Sequence, residues 1–309
     1  MKGQAALLTA AGIGVTLVCL LGINWLGPGG AILNLLTPVA AAYLSMRYGL
    51  RTGIVVVVVV SLLLLQLAPV YTLATYLGFF GIGSLLLPFL LQQRQPWDRA
   101  VFLSVVGSAL VSSMMALMVI QGSEIRFELL VDQLIQAEVD QAMLIYRDSG
   151  FSESQLLEMQ GIIDGLAGFI QKSFYGLYLA GALVVQALCL LILQRLKKNH
   201  YLIAGTSFVS WRLPAGLIWI LILSGFALLA PFEVLALTGR NLLAVLLPLY
   251  FLQGLAVVSS FLQRKAYSPP IKGLIYALLF ILNPLPLIIT GVGVFDLWID
   301  FRRPRKKDI

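Results

Sequence analysis

Nine stretches of this chain are too apolar and too long to be dissolved in water: 5–26, 30–46, 53–68, 70–92, 99–121, 170–194, 213–231, 241–262 and 270–300. A helix needs roughly 20 apolar residues to cross a bilayer core. In lipid every backbone N–H and C=O must be satisfied internally, so the spanning element is a helix. That rule decides Ile54 to Val60, whose valine run would suggest a buried strand in a soluble protein. Composition agrees, with 60% hydrophobic and 11% charged residues, where soluble domains carry about 25% charged. The chain is therefore expected to be all-α, a polytopic transmembrane helical bundle of 8–10 spans. Ala5 to Leu26, after Lys2, has full-span length and no small-residue cleavage site, so it reads as a retained first helix. No separate soluble domain is expected.

One long segment breaks the pattern. Residues 122–166 carry nine acids and two bases, −7 within a chain of net charge +7. Between Ile125 and Tyr146, the residues Phe127, Leu130, Val131, Leu134, Ile135, Val139, Ala142, Met143 and Tyr146 recur at helical spacing, with acids on the other face. Gly150 is a plausible stop. Ser152-Glu153-Ser154-Gln155 then has the S-x-x-Q form of a capping box, predicting a second helix to about Gly165. The expectation is an external amphipathic helical hairpin: a solvated connector, a lid or a partner-docking surface. The organisation expected is thus 1–121, a five-span half; 122–166, the acidic insert; 167–301, a second membrane half; and 302–309, a basic tail.

Basic residues orient the chain. With the N-terminus inside, the inner loops collect Arg47, Arg51, Arg94, Arg99, Arg195, Lys197, Lys198, Arg212, Arg264, Lys265 and Lys272, and the outer ones only Arg126, Arg147, Lys172 and Arg240. This follows the positive-inside rule and places 122–166 outside the bacterial cytoplasmic membrane. The tail, Arg302 to Lys307, belongs inside too, which requires an even number of crossings. Asn283-Pro284-Leu285-Pro286 supplies a break in the last run. Two short crossings, 270–283 and 286–301, or a re-entrant hairpin with eight full spans, would restore parity. The bilayer is the expected partner and nucleic acid is not, because the bases are dispersed over loop ends.

Residues able to do chemistry are few. There is no P-loop, H-E-x-x-H, G-x-S-x-G or C-x-x-C, so neither enzymatic activity nor a cofactor is expected. Gly78-Phe79-Phe80-Gly81-Ile82-Gly83 lies in a span and reads as close helix packing. Cys19 and Cys189 lie in apolar runs and read as small buried hydrophobes. The single His200 makes a zinc site unexpected. Ionisable groups near spans are costly and often functional. Glu233 and Arg240, flanking a short outer turn, are candidates for pairing with each other or for binding a charged or zwitterionic solute, with simple hydration near the interface as the alternative. Gln186 and Asn283 are further candidate solute ligands, with interhelical hydrogen bonding as the alternative. Arg51 lies in the turn between the second and third spans.

Two loop motifs are more specific. Phe208-Val209-Ser210-Trp211-Arg212-Leu213-Pro214 places an aromatic, an arginine and an N-terminal-turn proline at the inner interface. Gly293-Val294-Phe295-Asp296-Leu297-Trp298-Ile299-Asp300-Phe301-Arg302 closes the chain, with Asp296 and Asp300 on one helical face. These acids could pair with inner-loop arginines or dock a partner, and simple interfacial anchoring is equally compatible.

At these two motifs the chain resembles the YybS-like family of predicted bacterial membrane proteins, over nearly its whole length. More distantly, Pro38 to Gly53, with the turn Arg47-Tyr48-Gly49-Leu50-Arg51-Thr52-Gly53, is similar to the S-components of energy-coupling-factor vitamin transporters and to the cell-shape protein MreD. That resemblance implies either a small-solute-binding transport subunit working with an energising complex, or a scaffold among envelope proteins. The chain departs from S-components in having more spans. It also lacks their A-x-x-x-A coupling motif, to which Ala40-Ala41-Ala42 is the nearest approach.

Overall fold

A computed structural model describes residues 2–22, 30–68, 70–121, 127–148, 152–197, 200–265 and 267–303. The end of the expected first span, 23–26, the start of the acidic insert, 122–126, the helix stop at Gly150, Lys198 and the tail beyond Arg303 lie outside the described residues. Among the described residues all regular structure is helical. The chain forms two compact units, one of residues 1–134 with 181–205, the other of 135–180 with 206–309.

The first unit contains α1 (Lys2–Leu21), α2 (Ala31–Asn34), α3 (Thr37–Tyr48) and α4 (Leu50–Leu67). After these, α5 (Val70–Thr75) runs through a π-helical turn, Tyr76–Gly81, into α6 (Ile82–Gln92), and α7 (Trp97–Gln121) follows. The valine run is helical, as lipid solvation requires, and Val56, Val57, Val60 and Leu64 form a core with Ala41, Leu44, Tyr76 and Phe80. The α3–α4 turn is made by Gly49, whose φ of 99° favours glycine. The Thr52 hydroxyl then donates to the Leu44 carbonyl at 2.9 Å. Gly53 lets α4 lie against α3, since a Cβ there would collide with Ser45 and the Ala41 carbonyl. The Gly78–Gly83 stretch does make close contacts: a Cβ on Gly78 would strike Ser112. Its π-helical winding is a feature no sequence pattern announced.

Two helices follow, α8 (Phe127–Asp148) and α9 (Glu153–Leu196). On α8 the buried positions Val131, Val139 and Met143 lie on the predicted stripe, with Asp132 and Asp140 exposed. The capping box is formed: the Ser152 N–H donates to Gln155 Oε1 at 3.0 Å, and the Gln155 N–H to Ser152 Oγ at 3.4 Å. One expectation fails here. The helix does not stop near Gly165 but runs on to Leu196, 44 residues in all, because glycine merely weakens a helix interior while no proline interrupts this one.

Within the second unit, a 3₁₀ turn (Phe208–Ser210) precedes α10 (Leu217–Leu228), α11 (Glu233–Arg264), α12 (Pro269–Ile281) and α13 (Leu285–Ile299). Across the described residues six helices are long and apolar enough to cross a membrane. The expected 30–46 span is divided between α2 and α3. The 213–231 run yields the 12-residue α10, only about 18 Å long at 1.5 Å per residue.

The last apolar run bends by 101° between α12 and α13, at the predicted Asn283-Pro284 break. α12 runs back along α11: Ser259 and Tyr276 hydroxyls lie 2.6 Å apart, and the Phe251 and Phe280 rings 5.0 Å apart. α13 then crosses α11 where Gly254 meets Ile289 and Gly293 meets Tyr250, backbone against side-chain-free backbone. Finally Arg264, at the end of α11, donates to the Arg302 carbonyl. The chain therefore leaves at the end of α11 where it entered, the geometry of a hairpin, which two short crossings and a re-entrant loop share.

Candidate functional site

The second unit contains a groove of about 610 Å³ between α9, α10 and α11. That is within the roughly 300–1,000 Å³ of small-molecule sites. Helical periodicity builds both walls. Asp164, Gly168 and Lys172 follow one another at intervals of four on α9, with Gly165 and Phe169 beside them; α11 contributes Arg240, Leu243, Ala244 and Leu247 at i, i+3, i+4 and i+7. Leu228 closes the side from α10.

Asn241 fixes the distance between the walls. Its amide nitrogen donates to the Lys172 carbonyl at 2.9 Å, while its oxygen accepts from the Gly176 N–H at 2.7 Å. Those two α9 groups are the ones that pair with each other in an ordinary helical ladder, so the carboxamide is inserted into it. Gly176 permits the approach, since a Cβ there would collide with the Asn241 backbone and come within 2.8 Å of Ala244 Cβ.

The charges in the groove are uncommitted. Among the described residues, none of Asp164, Lys172 and Arg240 lies within 4.0 Å of an opposite charge. Asp164 and Lys172 are exposed and Arg240 is half-buried. Thus Lys172 and Arg240 stand beside the Asn241 link, with Asp164 about 12 Å along α9 from Lys172 at 1.5 Å per residue, and the net positive charge of the groove attracts an anionic group.

Of the four residues singled out as solute ligands, only Arg240 lines this groove. Glu233 is exposed at the start of α11 and does not pair with Arg240. Asn283 is exposed at the α12–α13 break. Gln186 is buried in the first unit against Gly83, with neither amide atom hydrogen-bonded. The sequence reading missed Asp164 and Lys172 because it ended the helix at Gly165, and Asn241 because its partners lie 65 and 69 positions away in the chain. The i, i+4, i+8 spacing of 164, 168 and 172 was the available signal.

The two loop motifs meet elsewhere in the second unit. Asp296 is fully buried and pairs with the almost equally buried Arg302 at 3.0 Å. The Arg302 guanidinium also donates to the Val209 and Trp211 carbonyls at 3.0 and 2.7 Å. Arg212 bridges both acids, lying 3.9 Å from Asp296 and hydrogen-bonded to Asp300. Arg303 reaches Asp300 at 2.6 Å. Gln253 of α11 accepts from the Leu213 N–H and donates to the Gly293 carbonyl, at 2.8 and 2.9 Å.

Burial works to raise the Asp300 pKa, but hydrogen bonds and charge from Arg212 and Arg303 outweigh it and hold that carboxyl below its usual range. Burial lowers the Arg302 pKa against the opposing pull of Asp296. Trp211 is buried and stacked on Phe208, whereas Pro214, Trp298 and Arg51 are exposed. With its charges paired, this cluster ties α13 to the 208–213 segment and to α11, as a latch does.

Comparison with known proteins gives one match. The model of a family described as predicted membrane protein, DUF2232, matches residues 13–297. No curated protein and no solved structure matches.

Proposed function

The chain belongs to this DUF2232 family of predicted membrane proteins, and from that premise we propose that it is a transport-related subunit binding a small solute within the membrane. The observation carrying this reading is the groove between α9, α10 and α11, with apolar walls, Lys172 and Arg240 unpaired, and a width set by Asn241. The role is binding rather than catalysis, with energy supplied by another complex. The charge asymmetry of the loops supports cytoplasmic termini and an external acidic segment in a bacterial cytoplasmic membrane.

A scaffold role among envelope proteins is the second reading. It is favoured by Leu157, Ile162 and Leu166, which are 72%, 58% and 56% exposed on α9 outside the stretch expected to span. Such side chains can seat a protein partner.

One purification separates the two. The full chain would be isolated from native membranes in mild detergent and both its proteins and its small molecules identified by mass spectrometry. A stoichiometric small molecule that disappears in Gly168→Leu supports solute binding. Envelope proteins without any small molecule, equally recovered with that variant, would establish the scaffold reading instead.

A further inference from the structure

We infer that the groove takes an amphiphile with one negative charge on its head and a single apolar chain as its tail. This rests on the proposed binding role and adds the class of ligand. The head is specified by charge. Lys172 and Arg240 exceed the single acid Asp164, and none of the three has a counter-charge within 4.0 Å. A half-buried guanidinium beside leucines gains from an anion that can take charge-assisted hydrogen bonds. With the acid Asp164 also lining it, the groove carries a net charge of one, which a single negative charge on the head balances. The tail is specified by Phe169, Leu228, Leu243 and Leu247, the apolar side chains that line the groove with these charges. On α11 the distance from Arg240 to Leu247 is about 10 Å at 1.5 Å per residue, so the wall follows a chain rather than a compact ring.

The glycines supply an independent reason. A Cβ placed on Gly165 or Gly168 would meet nothing within 4 Å. Glycine inside a helix is less stable than alanine, and here the chain's own packing draws nothing from it. Gly176, on the same helix, shows the contrast, because there Asn241 fills the space. The volume left at Gly165 and Gly168 lies in the groove itself, where an occupant would use it. A free single-chain amphiphile and an anionic membrane phospholipid that seats its head and one of its two acyl chains share this chemistry.

The test uses the full chain in uncharged detergent, with native mass spectrometry and titrations of dodecanoate, dodecyltrimethylammonium and acetate. The expected result is one dodecanoate per chain, with no measurable binding of acetate or of the cation. Arg240→Gln and Lys172→Gln should each weaken binding by about tenfold, equivalent to about 1.4 kcal/mol. Gly168→Leu should abolish it by filling the groove, while Gly161→Leu, also in open space but off the groove, should leave it intact.

If the cation binds as well as dodecanoate and Gly168→Leu blocks both, the ligand class is wrong and the groove remains a binding site. If Gly168→Leu changes neither, both the class and the binding role fail. Retention of phosphatidylglycerol over phosphatidylcholine from mixed vesicles by the wild type, lost in Arg240→Gln, identifies the source as membrane lipid. Dodecanoate binding without such retention identifies a free amphiphile. Gly161 and Gly165, four apart, also have the spacing of a helix–helix contact. Disulfide-linked pairs of Gly161→Cys chains that Gly168→Leu prevents would make the occupant a second copy and overturn the inference.

Discussion

At the scale of single residues, the two acids of the closing motif have unequal standing although both contact Arg212. Asp296 is buried with Arg302, and removing one partner of such a pair leaves an uncompensated charge, at about 3–5 kcal/mol. Asp300 faces Arg212 and the exposed Arg303, a setting in which solvent screening leaves ion pairs little net worth. Asp296→Asn should therefore lower the thermal midpoint of the detergent-solubilised chain far more than Asp300→Asn. Equal effects would show that burial of the first pair is not what matters. Glycines divide in the same way. Gly254→Ala and Gly293→Ala place a methyl against backbone of the crossing helix, so they should cost at least the about 1–3 kcal/mol typical of overpacking. Gly165→Ala meets open space and should stabilise α9 by about 0.5–1 kcal/mol, read in the same thermal assay.

Among the helices, α9 joins two functions that the sequence seemed to separate. Its first turn is held by the Ser152–Gln155 box, and Ser152→Ala should cost about 1 kcal/mol, visible as faster amide exchange in the opening turn of α9. Further along, the same helix presents Asp164, Gly168 and Lys172 to α11. The α12–α13 pair is likewise one device. Proline fixes the break, two glycines allow the crossing, and Gln253 ties the crossing to Leu213. Such a hairpin returns the chain to its side of entry, so Ser207→Cys and Arg303→Cys should label from one side of the membrane and Glu233→Cys from the other. Labelling of Ser207→Cys and Arg303→Cys from opposite sides would mean that the last run crosses.

For the whole molecule, pH acts on the latch through Asp300. Its pKa is depressed in the folded chain, so its contribution is present above the ordinary carboxylate value of about 3.9 and is lost as pH falls through the folded value. Protease resistance of the α13 end should be level between about pH 5 and pH 8 and decline only in stronger acid; a decline near neutrality would point to another group. The membrane class, the all-helical fold, the amphipathic α8, the capping box and the proline break were all legible in the sequence. Each depends on local rules: apolar length, helical period, capping chemistry and the missing proline N–H. The pairing of Asp296 and Asp300 with an inner-loop arginine was among the alternatives the i, i+4 spacing left open. The groove was not legible, because a glycine looks the same in sequence whether a neighbouring helix, a ligand or nothing occupies its missing side chain. Nor does local pattern distinguish an asparagine inserted between Lys172 and Gly176 from one facing solvent. Only the packing of α9 against α11 decided those, since contacts between residues 65 or more positions apart are set by tertiary geometry rather than by local spacing.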